Sequence, residues 1–410
     1  MILNLFLKLA VRNLFRNKRR TLIAGTAIGI GLASLIFTDA LIIGMEKNMI
    51  ASATESFMGE AQIHRNGFRE SLEVEKTIAN KNNLVNRLEN EKIVERFTQR
   101  TISFAMITSP ANLSSVTMVG INPQTELHLS QIDEAITAGS YFTGHNQRDI
   151  VIGSKLAEIL EVELGSRVVL TVAQAHSGDL SQEMFRISGI YYLNIKEMDR
   201  GMVFVRLNKA QEMLGLDDEI HQIALRFTRS EYARDRSLSF WGEYSQGDNQ
   251  ALSWIQLMPE LELAFQFSHF STFFVGLILF GVVALGIVNT LFMSLHERMF
   301  EFGVLRAVGT RALAMTKLIL FEAGALAVLS IILGSILGFL VTYIIAEIGI
   351  DYTGIEFSGV TFRKLLFPVL NLDQFIIYPL AVFLFTLMVG LYPAIFAARM
   401  SPSQAMRRSF

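Results

Sequence analysis

Four apolar runs are spread unevenly along the chain, at 21–44, 269–295, 318–346 and 375–398. A helix needs about 20 such residues to cross a hydrocarbon core of about 30 Å, and each run meets that length. Inside lipid every backbone N–H and C=O must be satisfied internally, which leaves helices or closed barrels. Residues 45–268 separate the first run from the other three and have ordinary water-soluble character. The expected fold is an α-helical membrane protein with four transmembrane helices (1+3) and a large extracytoplasmic α+β domain inserted between helices 1 and 2. An apolar content of 51% and a mean hydropathy of +0.38 suit a membrane bundle joined to a soluble domain.

The formal net charge of −2 says little; its placement says more. Lys8, Arg12, Arg16, Lys18, Arg19 and Arg20 precede the first span without an acid. The 296–317 loop carries Arg298, Arg306, Arg311 and Lys317 against Glu297 and Glu301, and the 399–410 tail carries Arg399, Arg407 and Arg408. The 347–374 loop is more acidic, with Glu347, Asp351, Glu356 and Asp373 against Arg363 and Lys364. Lys and Arg collect on the cytoplasmic side. Both termini and the 296–317 loop are therefore expected inside, and 45–268 and 347–374 outside. The chain has no cysteine, which removes thiol catalysis and thiolate metal sites. The first run is too long for a cleaved signal and shows no small-x-small site, so it is expected to remain as a span.

Residues 1–20 read as an amphipathic helix lying on the membrane surface; the alternative is a simple extension of span one with a positive flank. Asn4, Lys8, Arg12 and Arg16 form a polar stripe, with Leu3, Phe6, Leu7, Ala10, Leu14 and Phe15 on the other faces. Gly25 and Gly29 in span one are small residues four apart, a spacing that lets two membrane helices approach closely; glycine is also simply common in such helices. Asp39 lies about one turn from the outer end and is expected to reach interfacial water, because a charge at mid-bilayer costs roughly 2.5–3.5 kcal/mol or more.

The outer domain alternates element types. Strands are expected at 61–64, 102–107, 115–119, 149–152, 167–172, 185–192, 202–205 and 223–227, and helices at 78–90, 154–160, 208–214 and 231–238. Residues 46–57 and 253–269 extend the flanking spans as helical stalks. In the 296–317 loop Phe300, Val304, Leu305 and Val308 share a helical face. Gly309-Thr310 reads as a helix end and a new start, and the loop is expected to hold a short cytoplasmic helix across the membrane surface.

Several chemistries are missing. There is no G-x-x-x-x-G-K-[ST] loop, no H-E-x-x-H and no G-x-S-x-G elbow. The seven histidines are scattered, and His64 and His221 read as ordinary packed or surface residues. Glu322, at the start of span three, is expected to snorkel to the inner surface or pair with Lys317, with contact to a partner as the alternative. No catalytic residue, metal ligand or nucleic-acid surface is expected.

Five ordered segments stand out along the chain. They are Arg12-Asn13-Leu14-Phe15-Arg16-Asn17-Lys18-Arg19-Arg20-Thr21, then Gly44-Met45 with Gly59-Glu60-Ala61-Gln62-Ile63-His64, then Ile150-Val151-Ile152-Gly153-Ser154-Lys155-Leu156-Ala157 with Leu164-Gly165. The strongest piece is Glu297-Arg298 followed by Glu301-Phe302-Gly303-Val304-Leu305-Arg306-Ala307-Val308-Gly309. Tyr392-Pro393-Ala394 and Ala397-Ala398-Arg399-Met400-Ser401-Pro402 close the series. In this order they resemble the FtsX-like permeases of ABC systems, which include MacB-type and LolC/LolE-type lipoprotein-releasing subunits; the 150–165 piece is similar to the family's periplasmic core and the last to its C-terminal ending.

The resemblance, closest to the LolC/LolE branch, implies a bacterial inner-membrane permease without catalysis or cofactor of its own. ATP and Mg would sit in a separate cytoplasmic ATPase, two copies per complex, beside a second permease copy or a sister permease. A periplasmic acceptor or adaptor protein and membrane lipids complete the partners. The ATPase would dock on Glu297, Arg298, Glu301, Gly303, Arg306, Ala307, Val308 and Gly309, the acids and arginines making polar contacts and the apolar residues forming the packed face. The expected task is extraction or release of lipoproteins or other amphiphiles from the outer leaflet. MacB-like efflux of peptides or small amphiphiles, FtsX-like control of a cell-wall hydrolase, and a receptor or scaffold without transport are the alternatives.

Overall fold

The computed structural model describes residues 8–10, 12–13, 16, 18–142, 144, 146–357, 360–362 and 364–399. Asn4 of the polar stripe, its apolar neighbours Leu3, Phe6, Leu7, Leu14 and Phe15, the Arg20 side chain, Arg363 and the tail beyond Arg399 lie outside the described residues. The chain divides into two compact units: 1–47 with 265–351 and 365–410, and 48–264 with 352–364.

The first unit is helical. Four helices are long and apolar enough to cross a membrane: α1 (Lys18–Ala53), α6 (Pro259–Glu297), α8 (Ala312–Ile348) and α9 (Gln374–Arg399). Local chemistry sets the start of α6 and the end of α8. Proline opens α6, where its missing N–H costs nothing and its fixed φ suits the first turn. Gly349, with φ +75°, ends α8 in a conformation that a side chain resists. The bundle core repeats at helical spacing: Ile28, Leu32 and Ile36 of α1 pack with Val283, Ile287 and Leu291 of α6, Ala323 and Leu326 of α8, and Val382 of α9.

The second unit is α+β. Its strands are β1 (Ala61–Arg65), β2 (Val94–Thr108), β3 (Leu113–Ile121), β4 (Ile136–Gly139), β5 (Asp149–Gly153), β6 (Arg167–Ala173), β7 (Leu180–Tyr191), β8 (Met202–Arg206), β9 (Gln222–Phe227) and β10 (Asn249–Ser253). They form one ten-stranded sheet in the order β10-β1-β9-β2-β3-β8-β5-β7-β4. β6 joins β2 to β7 and so closes β2-β3-β8-β5-β7-β6 into a ring. The β3–β8 and β5–β7 pairs are parallel.

Side-chain alternation puts Ile150 and Ile152 of β5 into a core with Ile107, Val116, Leu170, Ile187 and Val205, while Val151 faces a second core with Phe204 and Tyr191. Helices α3 (Ser154–Leu160) and α5 (Leu207–Leu214) pack Leu156, Leu160, Met213 and Leu214 onto the first core, and α4 (Lys196–Gly201) packs Met198 onto the second. A short pair, β11 (Glu356–Phe357) and β12 (Val360–Thr361), lies in the 347–374 loop.

All eight expected strands exist, but β4 and β10 are additional, and β2 is far longer than 102–107. Three helix expectations change. The 78–90 helix, α2, begins at Lys81, because Asn80 is left-handed at φ +54°. The 231–238 helix is replaced by a 3-10 turn, Ser230–Ala233, and a separate short α-helix at Ser239–Tyr244. Asp235 accepts hydrogen bonds from both the backbone N–H and the hydroxyl of Ser237, a side-chain turn that competes with the helix ladder. The 253–269 pattern is divided between β10, a turn at Trp254–Leu257 and α6.

Candidate functional site

Between α6 and α8 lies α7 (Met299–Ala307). Its end is built locally. Gly309 sits at φ +99°. Its N–H donates to Arg306 O at 3.1 Å, and the Thr310 N–H donates to Leu305 O at 3.0 Å. This paired capping satisfies carbonyls that the finished helix leaves open. Beyond Gly309 the next helix is α8 itself, starting at Ala312. α7 alone fills that part of the loop.

The inner side of α7 is fastened twice. Phe302, 2% exposed, sits in a core with Leu295, Met315, Leu318, Ile319, Ala394, Ala397 and Ala398, against which Leu9 also packs. A chain of charges runs beside it. Arg16 Nη1 donates to Glu301 Oε1 at 2.9 Å. Arg298 Nε donates to Glu301 Oε2 at 2.9 Å, and Arg298 Nη1 to Glu322 Oε1 at 2.6 Å. Asn13 Nδ2 donates to Glu322 Oε1 at 2.6 Å. Arg298 and Glu322 are 8% and 6% exposed.

Burial disfavours the Arg298 charge, yet the Glu322 charge beside it and its bonds to Glu301 and Glu322 hold its pKa above the ordinary arginine value. Partial burial likewise disfavours the Glu301 charge, but hydrogen bonds from Arg298 and Arg16 keep its carboxyl below the usual carboxylate range.

This arrangement corrects one expectation. Glu322 neither snorkels nor pairs with Lys317; it is the buried partner of Arg298 and Asn13. Arg298 is buried in this chain of charges, Glu301 stays exposed while holding Arg298 and Arg16, and Arg306 Nη1 donates to Thr310 O at 3.2 Å. Phe300, Val304, Leu305 and Val308 face out, with Val308 82% exposed. Among the other residues singled out, Gly303 is buried, while Glu297, Ala307 and Gly309 are exposed.

Of the N-terminal bases, Lys8, Arg12, Arg16, Lys18 and Arg19 are exposed, and Ala10 is buried. Gly25 and Gly29 face α8 of the same chain. A Cβ on Gly25 would meet Ser330 Oγ at 3.7 Å, and one on Gly29 would lie 3.2 Å from Ser330 O and 3.3 Å from Gly334 N. Gly334 and Gly338 form the facing half of this contact; they too stand four apart, a signal that sequence reading passes over in a glycine-rich span. Asp39 is not left to interfacial water alone: it accepts a hydrogen bond from Gln374 Nε2 at 2.8 Å.

In the second unit Arg100 and Glu126, both fully buried, form a two-pronged ion pair at 2.5 and 3.0 Å, with Phe57 stacked 3.8 Å from the guanidinium carbon. Their separation in sequence hides that pair. His64 and His221 are packed, as expected. His221 Nδ1 accepts from the Ile102 N–H at 2.9 Å and Nε2–H donates to Val74 O at 2.8 Å.

The chain aligns along most of its length with lipoprotein-releasing system transmembrane proteins. LolE of Haemophilus influenzae is 24% identical over 342 residues, covering 81% of this chain and 82% of that protein. LolC of Neisseria meningitidis is 21% identical over 339 residues, covering 80% and 79%. Among solved structures, the periplasmic region of MacB from Actinobacillus actinomycetemcomitans aligns at 14% identity with a TM-score of 0.35, covering 52% of this chain and 95% of that one. The family model for the FtsX-like permease C-terminal region matches residues 273–402. The model for the MacB-like periplasmic core domain matches residues 21–235, more than half of the chain. The chain belongs to the FtsX-like ABC transporter permeases that carry a MacB-like periplasmic core domain.

Proposed function

We propose that this chain is the force-transmitting permease subunit of an inner-membrane ABC transporter that releases lipoproteins, or similar amphiphiles, from the outer leaflet. The observation that carries the reading is the two-sidedness of α7. Its inner side is clamped by Phe302 and the Arg16–Glu301–Arg298–Glu322–Asn13 chain. Its outer side presents Phe300, Val304, Leu305 and Val308. Large apolar side chains held outward on a short fixed helix suit docking of another protein. A push there reaches α8 through Arg298–Glu322 and the N-terminal segment through Arg16.

The partner is a cytoplasmic ATPase, two copies per complex, and it holds the ATP and Mg. This chain binds neither and catalyses nothing. A second permease copy or a sister permease completes the membrane part, and a periplasmic acceptor takes the released cargo. Both termini and α7 face the cytoplasm, as the basic residues demand, and residues 48–264 face the periplasm. α1 and α6 each contribute residues to both compact units, so the drive has two continuous helical routes. The names of the LolC and LolE relatives support the lipoprotein cargo.

The test replaces Leu305 and Val308 by Glu. Expected are loss of ATPase co-purification and of lipoprotein release, with near-ultraviolet circular dichroism of the chain unchanged. Retained ATPase binding and release by this double variant refutes the docking surface.

A further inference from the structure

We infer that the groove between α8 and α9 is a binding site for an acidic glycerophospholipid of the inner leaflet. The groove encloses 460 Å³ and is lined by Leu320, Ala325 and Val328 of α8 and Phe383, Leu387 and Met388 of α9. Gly324 keeps its floor low: a Cβ there would make only ordinary contact, 3.5 Å from Leu387 Cδ2. Val328 and Met388 are 48% and 59% exposed, so the groove opens sideways, where a membrane helix meets lipid.

Its length and its end both fit a lipid. From Leu320 to Val328 the helix rises about 12 Å, close to the depth of one leaflet, about 15 Å. The groove lies in the half of α8 nearest α7, which the proposed orientation places at the inner leaflet. Lys317 stands one turn before Leu320 and Phe321 on the same face of α8. Arg399 stands about three turns beyond Met388 on the same side of α9. Both are exposed. The first turn of α8 carries no acid, and the last turn of α9 carries Arg399. An acyl chain in the groove thus brings a headgroup phosphate to two basic side chains. A net negative headgroup is favoured there, because Lys and Arg near a membrane surface attract anionic lipid. The same end of the groove abuts the core that holds Phe302 of α7, since Leu320 packs on it, so the lipid sits behind the proposed docking helix.

The test uses the full chain, reconstituted with equal amounts of phosphatidylglycerol and phosphatidylcholine, re-extracted in mild detergent and weighed by native mass spectrometry. It requires no ATPase, so it stands or falls apart from the docking assignment. Expected is preferential retention of phosphatidylglycerol. Lys317→Gln and Arg399→Gln each reduce that preference about fivefold, and about thirtyfold together. Ala325→Trp fills the groove and lowers retention of both lipids, while Ala325→Ser keeps it. Equal retention of the two lipids by the unaltered chain overturns the inference, as does unchanged preference in the surface pair Lys317→Gln/Arg399→Gln, which does not disturb the core. The chain has no cysteine, so Met388→Cys is a clean reporter: a disulfide between two copies in membranes shows that a second permease covers the groove and overturns the lipid assignment.

Discussion

Replacing Arg298 by Met tests the buried charge chain most directly. Arg298 and Glu322 are 8% and 6% exposed and 2.6 Å apart, so each charge has lost most of its water. Removing Arg298 leaves the Glu322 carboxylate with the Asn13 amide as its one described partner, and an uncompensated buried charge costs about 3–5 kcal/mol. The converse, Glu322→Leu, is milder. Arg298 keeps Glu301 at 2.9 Å, so the loss resembles that of one charged hydrogen bond, about 1.5–3 kcal/mol. With both replaced, Arg298→Met/Glu322→Leu, neither charge remains to be desolvated, and the net change is about 0–2 kcal/mol. The two single losses therefore sum to more than the double loss, and a double-mutant cycle reads the difference. The assay is SDS-induced unfolding of the purified full chain, with the same four proteins tested for ATPase stimulation by the partner. Stability is expected to recover in the double variant while stimulation does not, because α7 has lost its polar tie to α8. Additive destabilisation, or Glu322→Leu costing more than Arg298→Met, refutes the burial argument.

Gly334→Ala is expected to destabilise the bundle by about 1–3 kcal/mol, because the new Cβ would lie 2.6 Å from Gly29 O and 2.9 Å from Gly29 Cα, backbone atoms that cannot swing aside; Gly25→Ala, whose Cβ has 3.7 Å to Ser330 Oγ, is expected to be nearly silent in the same unfolding assay. In the second unit, burial and then the Arg69 charge lower the His64 pKa from 6.5 to about 3, so the folded chain refuses a proton that the unfolded chain accepts. That stability is intact above pH 6.5 and falls as pH drops toward 3, by about 2 kcal/mol at pH 5. Burial also lowers the His221 pKa, and this acts in the same direction. Hydrogen exchange at β1 amides compared at pH 7 and pH 5, after correction for intrinsic rates, measures the loss, and His64→Gln is expected to reduce it.

Local signals account for the features legible in the sequence. Apolar runs of membrane length, eight strands rich in β-branched residues and the Pro259 and Gly309 breaks each depend on a few neighbouring residues. Where local reading fails, a competing local bond or a distant partner is the cause. Asp235 turns the 231–238 pattern away from a helix through Ser237. β4 and β10 are short edge strands, and what holds them is pairing with β7 and β1.

The family segments around α7 are legible in order, yet which of their residues face inward is not. Charge normally marks a surface, and here Arg298 and Glu322 find each other across 24 positions. Hydrophobic length and charge asymmetry along the chain are enough to set the number of spans, the inserted domain and the expected sidedness, since bilayer thickness and Lys/Arg bias act on contiguous stretches. Only the folded chain decides that Arg298 is buried against Glu322 while α7 turns Phe300, Val304, Leu305 and Val308 outward, that Gly29 meets Gly334, and that β6 closes the ring. Those outcomes depend on contacts between residues far apart in sequence, and no periodicity encodes such partners.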